Sequence, residues 1–249
     1  MLSSSELACK AIKDYYQEFS GSLQNTSHSK ALVYSEKVEK LRTNFLSYLG
    51  LDNFLVSFQH NHHYLEQLIS NFLDSQSDKW DIFTNTVDLK NKNYSLEKFL
   101  ELDEIKQPLF LFVDGEEIDF SLINKFVEKL NYLKEQFPNS MIYSCLKSKN
   151  LNRLKNSFLS HFSFVSYDPS EDFSEFGTVF FGFQKDLVLK PLFLGSGGAK
   201  FDHQSNEIKL KKLPQLLEIG TQNLISWIVL AEYFEKLCSA KGTISLDSI

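Results

Sequence analysis

Apolar residues recur along the chain in two spacings, one typical of helices and one typical of buried strands. Helical spacing predicts helices over about residues 5–19, 28–48, 61–73, 96–102, 123–133 and 221–237. In the predicted helix at 61–73, Leu65, Leu68 and Phe72 fall on one face. Short runs of apolar residues predict strands at 53–58, 80–83, 108–113, 140–145, 162–166 and 178–183.

Strands and helices alternate along this chain, which favours an α/β fold with a mostly parallel sheet flanked by helices. The segment from Pro108 to Val113 is continuously apolar, as expected of a parallel strand that is covered on both faces. The lysine-rich stretch from Lys200 to Lys212 predicts a loop. Because no repeat or low-complexity linker interrupts the pattern, residues 1–249 are interpreted as a single domain.

The composition of the chain limits which partners it is expected to bind and where in the cell it is expected to occur. The net charge is −6 and no basic run stands out, so nucleic acid is not an expected partner. No apolar run has membrane-spanning length, and the first residues lack the pattern of a signal peptide. Cys9, Cys145 and Cys238 are an odd, widely spaced set, which predicts reduced thiols in a cytoplasmic protein. We expect them to be buried structural thiols rather than nucleophiles.

Four segments of the chain are similar to a known family. Ala8–Phe19 resembles the first helix of Suf-type cysteine desulfurases, in the class V aminotransferase superfamily, and Leu41–Gly50 resembles the helix that follows. Pro191–Gly198 resembles the family's glycine-rich turn, and Leu217–Asn223 resembles its Phe-Glu-Ala-Gly-Thr-Pro-Asn segment. The resemblance implies the large domain of a pyridoxal-phosphate (PLP) enzyme of fold type I. It also implies dimers with the cofactor near the subunit interface.

The resemblance indicates where the cofactor would be attached, and the residues there are unsuitable. The family's Ser-Gly-His-Lys segment falls on residues 166–169, where Ser166 is retained. Asp168 stands at the histidine position, and its negative charge would repel a phosphate. Pro169 stands at the lysine position and has no amine with which to form a Schiff base.

Other cofactor positions implied by the resemblance have also changed. Tyr143 replaces the aspartate that pairs with the pyridinium nitrogen, and Leu146 replaces the glutamine that touches the cofactor oxygen. Leu216 stands where an arginine would bind the substrate carboxylate. At the phosphate-binding helix start, Gly-Thr-Thr-Glu becomes Gln-His-Asn-His, in which Asn61 can still cap a helix.

Some family features remain and others have no counterpart. The glycine-rich turn, which in the family lies largely at the dimer interface, keeps Gly195, Gly197 and Gly198, and Thr221 follows in the next segment. The segment with the ring-stacking histidine is missing before Trp80. The family's small C-terminal domain, which carries the persulfide cysteine, has no counterpart in the sequence. We therefore expect the chain to consist of the large domain alone.

The altered and missing residues would all serve the PLP-dependent reaction of the family, whereas the helices that resemble the family persist. We therefore interpret the chain as a noncatalytic pseudoenzyme that has no catalytic residues and binds no PLP. Its expected partner is a second copy or an active desulfurase, bound through the surface that contains residues 195–198 and the last helix. Two alternatives remain: an active PLP enzyme that uses Lys147, Lys149 or Lys185, and a gene product without a selected role.

Two further clusters resemble functional sites but have simpler interpretations. Val113-Asp114-Gly115 repeats the family's Val-Asp-Gly, but it lies one strand–helix unit too early. Asp114 is thus expected at the end of a strand, and the acidic residues at 116, 117 and 119 are expected in a solvated loop rather than a Mg²⁺ site. His60, His62 and His63 would not face one side of a helix, so we predict no metal site there.

Overall fold

A computed structural model describes most of the chain: residues 4–18, 29–75, 81–84, 96–102, 104–114, 120–147, 151, 156–170, 177–193, 198–202, 206–220 and 223–241. The helices are α1 (Ser4–Glu18), α2 (Ser29–Leu49), α3 (His62–Asp74), α4 (Leu96–Glu101), α5 (Ile123–Gln136), α6 (Asn156–Leu159) and α7 (Leu224–Lys241). The strands are β1 (Phe54–Gln59), β2 (Asp81–Thr84), β3 (Leu109–Asp114), β4 (Met141–Leu146), β5 (Phe164–Tyr167), β6 (Val179–Gln184), β7 (Ala199–Asp202) and β8 (Glu207–Leu210).

Six strands form one sheet in the order β1-β6-β5-β4-β3-β2. Strands β2 to β5 pair in parallel, whereas β6 pairs antiparallel with both β5 and β1. Among these strands β6 alone therefore runs against the others, which confirms the prediction of a mostly parallel α/β sheet. The apolar segment that begins at Pro108 forms β3, which is paired on both sides and ends at Asp114 as expected.

The two faces of the sheet are covered by different helices. On one face α1, α2, α5 and α7 build the larger core, in which Phe45 stacks on Phe180 at 4.6 Å and meets Phe234 edge-on at 5.3 Å. On the other face α3 buries its apolar side against β5 and β6, with Phe72 edge-on to Phe164 at 5.7 Å. Each buried phenylalanine contributes on the order of 2 kcal/mol. The high phenylalanine content is therefore used mainly in packing the sheet.

The predicted loop from Lys200 to Lys212 is wrong, because β7 and β8 form an antiparallel hairpin there. The residues alternate between charged and apolar, and this period of two is the signal of a strand that the lysine content concealed. Phe201 and Ile208 pair directly, and Leu210 lies on the same side of the hairpin. These three side chains are 46%, 68% and 55% exposed, and we call them the hairpin face.

Candidate functional site

The carboxyl ends of β1, β4 and β5 meet at one edge of the sheet, because these strands run in the same direction. Ligands of open α/β sheets bind at this kind of edge. Helix α3 begins here directly after β1, and its start is stabilised by Asn61, whose side-chain oxygen accepts a hydrogen bond from the backbone N–H of Tyr64 at 2.8 Å. The predicted capping role of Asn61 is confirmed.

His62, the first residue of α3, joins two strand ends across this edge. Its Nε2 atom lies 3.4 Å from Oδ2 of Asp168, just beyond β5, and 3.7 Å from Sγ of Cys145 on β4. Asp168 also accepts a hydrogen bond from the backbone N–H of Ser170 at 2.9 Å. Since the side chains of His62 and Asp168 are 26% and 21% exposed, the cluster is partly open to solvent.

The two charged groups in this cluster hold each other in their ionised forms. Burial lowers the pKa of His62, but hydrogen bonds with Asp168 and Cys145 outweigh it and raise the pKa to about 10. Burial raises the pKa of Asp168, but its hydrogen bonds with His62 and Ser170 lower it to about 2. At neutral pH the site therefore contains an imidazolium paired with a carboxylate.

Tyr143 lies on β4, two residues before Cys145. Its hydroxyl lies 2.8 Å from Oγ of Ser166, and its ring packs on Phe112 at 4.9 Å. Both Tyr143 and Ser166 are buried, as is Pro169. Leu146 is fully buried in the larger core on the opposite face of the sheet, so the structure does not bring it to this site.

The glycine-rich turn and the segment after it pack against each other by backbone contact. A Cβ atom on Gly198 would lie 2.6 Å from the carbonyl oxygen of Leu216, so a larger residue does not fit there. Gly220 has φ of +70°, which disfavours other residues. Gly195, Gly197 and Thr221 lie outside the described residues.

Sequence reasoning missed a buried ion pair that joins two of the segments that resemble the family. The guanidinium of Arg42 on α2 contacts both carboxylate oxygens of Glu218, at 2.6 and 3.0 Å. Arg42 also donates to the carbonyl of Val56 at 2.6 Å, and Glu218 accepts from the backbone N–H of Phe58 at 3.0 Å. The sequence did contain a sign of this ion pair. Arg42 and Glu218 are oppositely charged, and each lies in one of the segments that resemble the family.

The three lysines proposed as alternative anchors differ in position. Lys147 follows β4 at the edge described above and is half-buried. Lys185 follows β6, which runs the other way, so Lys185 lies at the opposite edge and donates to the carbonyl of Asp52 at 2.6 Å. It therefore cannot serve the site, and Lys149 lies outside the described residues.

The three neighbouring histidines contact three different partners. Nε2 of His60 lies 2.8 Å from the carbonyl oxygen of Ile219, His62 meets Asp168, and His63 lies near Gln67. In the part of the chain that the structure describes, no three His, Cys, Asp or Glu side chains are arranged to hold a metal ion. None of the described helices is both long and apolar enough to cross a membrane.

The cysteines are only partly as predicted. Cys145 is buried on its strand, and Cys238 on α7 is half-buried with Sγ 3.4 Å from the carbonyl oxygen of Asn44. Cys9 on α1 is exposed, so the prediction of burial is wrong for this residue. Its helix presents a polar side to solvent, and a single cysteine gives no sign of which side it occupies.

No family model matches the chain, and no curated protein matches it. Solved structures do match. A cysteine desulfurase from Thermococcus onnurineus NA1 aligns with 93% of this chain and 64% of its own, at 14% identity and a TM-score of 0.68. A NifS-like protein from Rickettsia africae aligns with 96% and 67%, at 12% identity and a TM-score of 0.64. A mutant C-DES protein with glycine covalently linked to its PLP cofactor aligns with 92% and 67%, at 10% identity and a TM-score of 0.63.

At these identities the matches show the fold alone. The chain has the fold of the cysteine desulfurases and NifS-like proteins, and it spans about two thirds of their length. This agrees with the resemblance that the sequence segments indicated.

Proposed function

We propose that this chain is a noncatalytic protein with a cysteine desulfurase-like fold, and that it acts by binding in sulfur transfer or iron–sulfur cluster assembly. The observation that carries the proposal is the buried Pro169 beside the His62–Asp168 ion pair, at the position where the family pattern has its Schiff-base lysine. The three cysteines are thiols, which supports a cytoplasmic location.

The residues at this edge of the sheet do not fit PLP. Pro169 offers no amine, and the hydroxyl of Tyr143 is already bonded to Ser166 in a buried contact. Tyr143 carries no negative charge at neutral pH with which to hold a protonated ring nitrogen. Asp168 offers a phosphate no positive charge, and its carboxylate already pairs with the imidazolium of His62.

Several residues in the segments that resemble the family have structural roles that need no catalysis. Arg42 and Glu218 join α2, β1 and the segment before α7 in a buried, bidentate ion pair. Gly198 permits close approach of the backbone at Leu216, and Gly220 supplies a left-handed conformation. A well-packed scaffold beside an altered site is what selection on folding and binding, without selection on catalysis, would produce.

The hairpin face is the surface that best suits a partner. Phe201, Ile208 and Leu210 form an exposed apolar strip on a two-stranded sheet that begins directly after Gly198. Both edges of this small sheet lack a neighbouring strand among the described residues. The first half of α7 is buried against α1 and α2, so this helix offers mainly its second half.

We propose that a second copy of the chain covers the hairpin face. An apolar strip with an open strand edge is suited to pairing with its own copy about a twofold axis. An active desulfurase is the other candidate partner, and it would be recognised as a mixed complex in the same experiment.

A second candidate function is an active PLP enzyme that uses a displaced lysine. The observation in its favour is Lys147, which lies at the carboxyl edge of the sheet directly after β4. Lys149 remains a candidate on sequence grounds only.

Turnover with cysteine separates the two candidates. The purified chain is supplied with PLP, L-cysteine and a thiol reductant, and sulfide and alanine are measured against an active cysteine desulfurase. We expect no product above that of free PLP. Enzyme-dependent alanine that is lost in Lys147→Ala, with unchanged folding by circular dichroism, would support the displaced-lysine enzyme instead.

A further inference from the structure

Three chemically active side chains converge at the carboxyl edge of the sheet from distant parts of the chain. Cys145 comes from β4, His62 from the start of α3, and Asp168 from the end of β5. The same imidazole nitrogen, Nε2, faces both the sulfur at 3.7 Å and the carboxylate at 3.4 Å. This differs from a Ser-His-Asp triad, in which opposite ring nitrogens bind the two partners and the histidine accepts a proton.

The geometry makes His62 a fixed positive charge rather than a base. Its partner Asp168 keeps the imidazole protonated at neutral pH, so the ring can stabilise a negative sulfur atom by charge and by a hydrogen bond. Cys145 is 9% exposed, and its two neighbours in the cluster are more open. The thiol is thus buried beside two partly open side chains, at the edge where ligands of such sheets bind.

We propose that Cys145 accepts a sulfur atom from a persulfide, R–S–SH, and holds it as a perthiolate beside His62. This inference rests on the proposed link to sulfur transfer and names the substrate class of that same site. A persulfide, R–S–SH, is a stronger acid than the parent thiol and therefore ionises more readily to the perthiolate, which a nearby imidazolium stabilises.

The transfer is balanced without an oxidant or reductant. Sγ of Cys145 attacks the terminal sulfur of the donor R–S–S⁻, so an S–S bond to Cys145 forms and the S–S bond of the donor breaks. The donor leaves as R–SH and takes the proton that the Cys145 thiol gives up. The product is Cys145–S–S⁻, and His62 remains protonated throughout.

The experiment uses the full chain with Cys9→Ser and Cys238→Ser, so that Cys145 is the one thiol among the three cysteines of the sequence. The protein is mixed with glutathione persulfide in one arm and with a persulfide-loaded cysteine desulfurase in the other. Mass spectrometry then measures the rate at which Cys145 gains one sulfur atom. We expect transfer in at least one arm, and the arm identifies the donor as a small molecule or a protein.

His62→Gln should slow this transfer by about tenfold or more, since it removes a charged hydrogen bond to the anion. His63→Gln is the matched control, because His63 is exposed on the same turn and contacts Gln67 instead. Asp168→Asn should slow the transfer as well, and Asp168→Glu should restore part of the rate. Circular dichroism checks that each variant is folded.

Absence of sulfur on Cys145 in both arms would overturn the inference, as would equal rates in His62→Gln and His63→Gln. Neither result bears on whether the chain binds PLP or turns over cysteine. Conversely, PLP-dependent turnover would contradict the proposed function whatever Cys145 does. The two failures are therefore distinguishable.

Discussion

His62 and Asp168 make the stability of the fold depend on pH in opposite directions. The pKa of His62 is about 10 in the folded chain against an ordinary value of 6.5, so its contribution is complete below about pH 6.5 and is lost as the pH rises through about 10. The pKa of Asp168 is about 2 against 3.8, so its contribution is present above about pH 3.8 and is lost as the pH falls through about 2.

His62→Gln should therefore lower the free energy of unfolding by on the order of 2 kcal/mol near pH 6, and should flatten the decline of stability between about pH 6.5 and 10. Urea unfolding at several pH values measures both effects. His63→Gln should leave the pH profile unchanged. A decline of equal slope in His62→Gln and the parent chain would show that the ion pair does not stabilise the fold.

The Arg42–Glu218 pair should respond differently to single and double substitutions. Arg42→Met leaves the carboxylate of Glu218 buried without its cation, so we expect a loss of about 3–5 kcal/mol in the free energy of unfolding. Arg42→Met with Glu218→Leu should lose less than the single variant, because no unpaired charge remains. Urea denaturation measures the coupling, and additive losses would contradict a direct interaction.

The role of a single residue could be predicted from the sequence where one local contact determines that role. Asn61 caps α3 because its position relative to the first turn fixes the hydrogen bond. The contact between His62 and Cys145 joins residues 83 positions apart, and no periodicity or spacing encodes it. Asp168 and Pro169 lie just beyond β5 at the carboxyl edge of the sheet, and the contact of Asp168 with His62 required the structure.

At the scale of elements, the glycine-rich turn is held to the segment before α7 by close backbone approach. Gly198→Ala would place a methyl group 2.6 Å from a carbonyl oxygen, so we expect destabilisation of about 1–3 kcal/mol. Gly182→Ala is the matched control, since its new methyl group would meet neighbours at ordinary distances of 3.5 Å and more. Thermal unfolding compares the two, and equal melting temperatures would contradict the close contact.

The hairpin face gives a second prediction at this scale. Ile208→Lys places a charge on the proposed interface, and because Ile208 is 68% exposed the change should not affect folding of the single chain. We expect the dimer dissociation constant to rise by about tenfold or more. Tyr132→Lys on α5 changes another exposed apolar residue and is the control.

Light scattering after size exclusion measures the mass of both variants over a range of concentrations. A parent chain that is monomeric at all concentrations, and that forms no mixed complex with an active desulfurase, would contradict the proposed surface. Equal dimerisation of parent and Ile208→Lys would contradict the role of the hairpin face.

Element boundaries show why the hairpin was missed while the sheet was predicted. The strands of the large sheet are continuous apolar runs, because helices cover both of their faces. Strand β8 is exposed along its whole length, so its lysine and glutamate resemble a loop by composition. Its alternation of charged and apolar residues was the better signal.

For the molecule as a whole, the fold could be predicted from the sequence. The packing of helices on a sheet depends mainly on whether each position is apolar or polar. Apolar helices and strands in alternation specify a covered parallel sheet, and the structure agrees with this in all but one strand direction of the large sheet. The antiparallel β6 could not be predicted from its residues, since a strand that is buried on both faces has the same pattern in either direction.

We propose that the scaffold of this chain persists without a covalent site for PLP. The most direct test incubates the full chain with PLP, reduces any Schiff base with borohydride, and maps pyridoxyl groups on each lysine by mass spectrometry. We predict at most sparse labelling spread over surface lysines. Near-stoichiometric labelling of one lysine at the carboxyl edge of the sheet, such as Lys147, would instead reveal a working cofactor site.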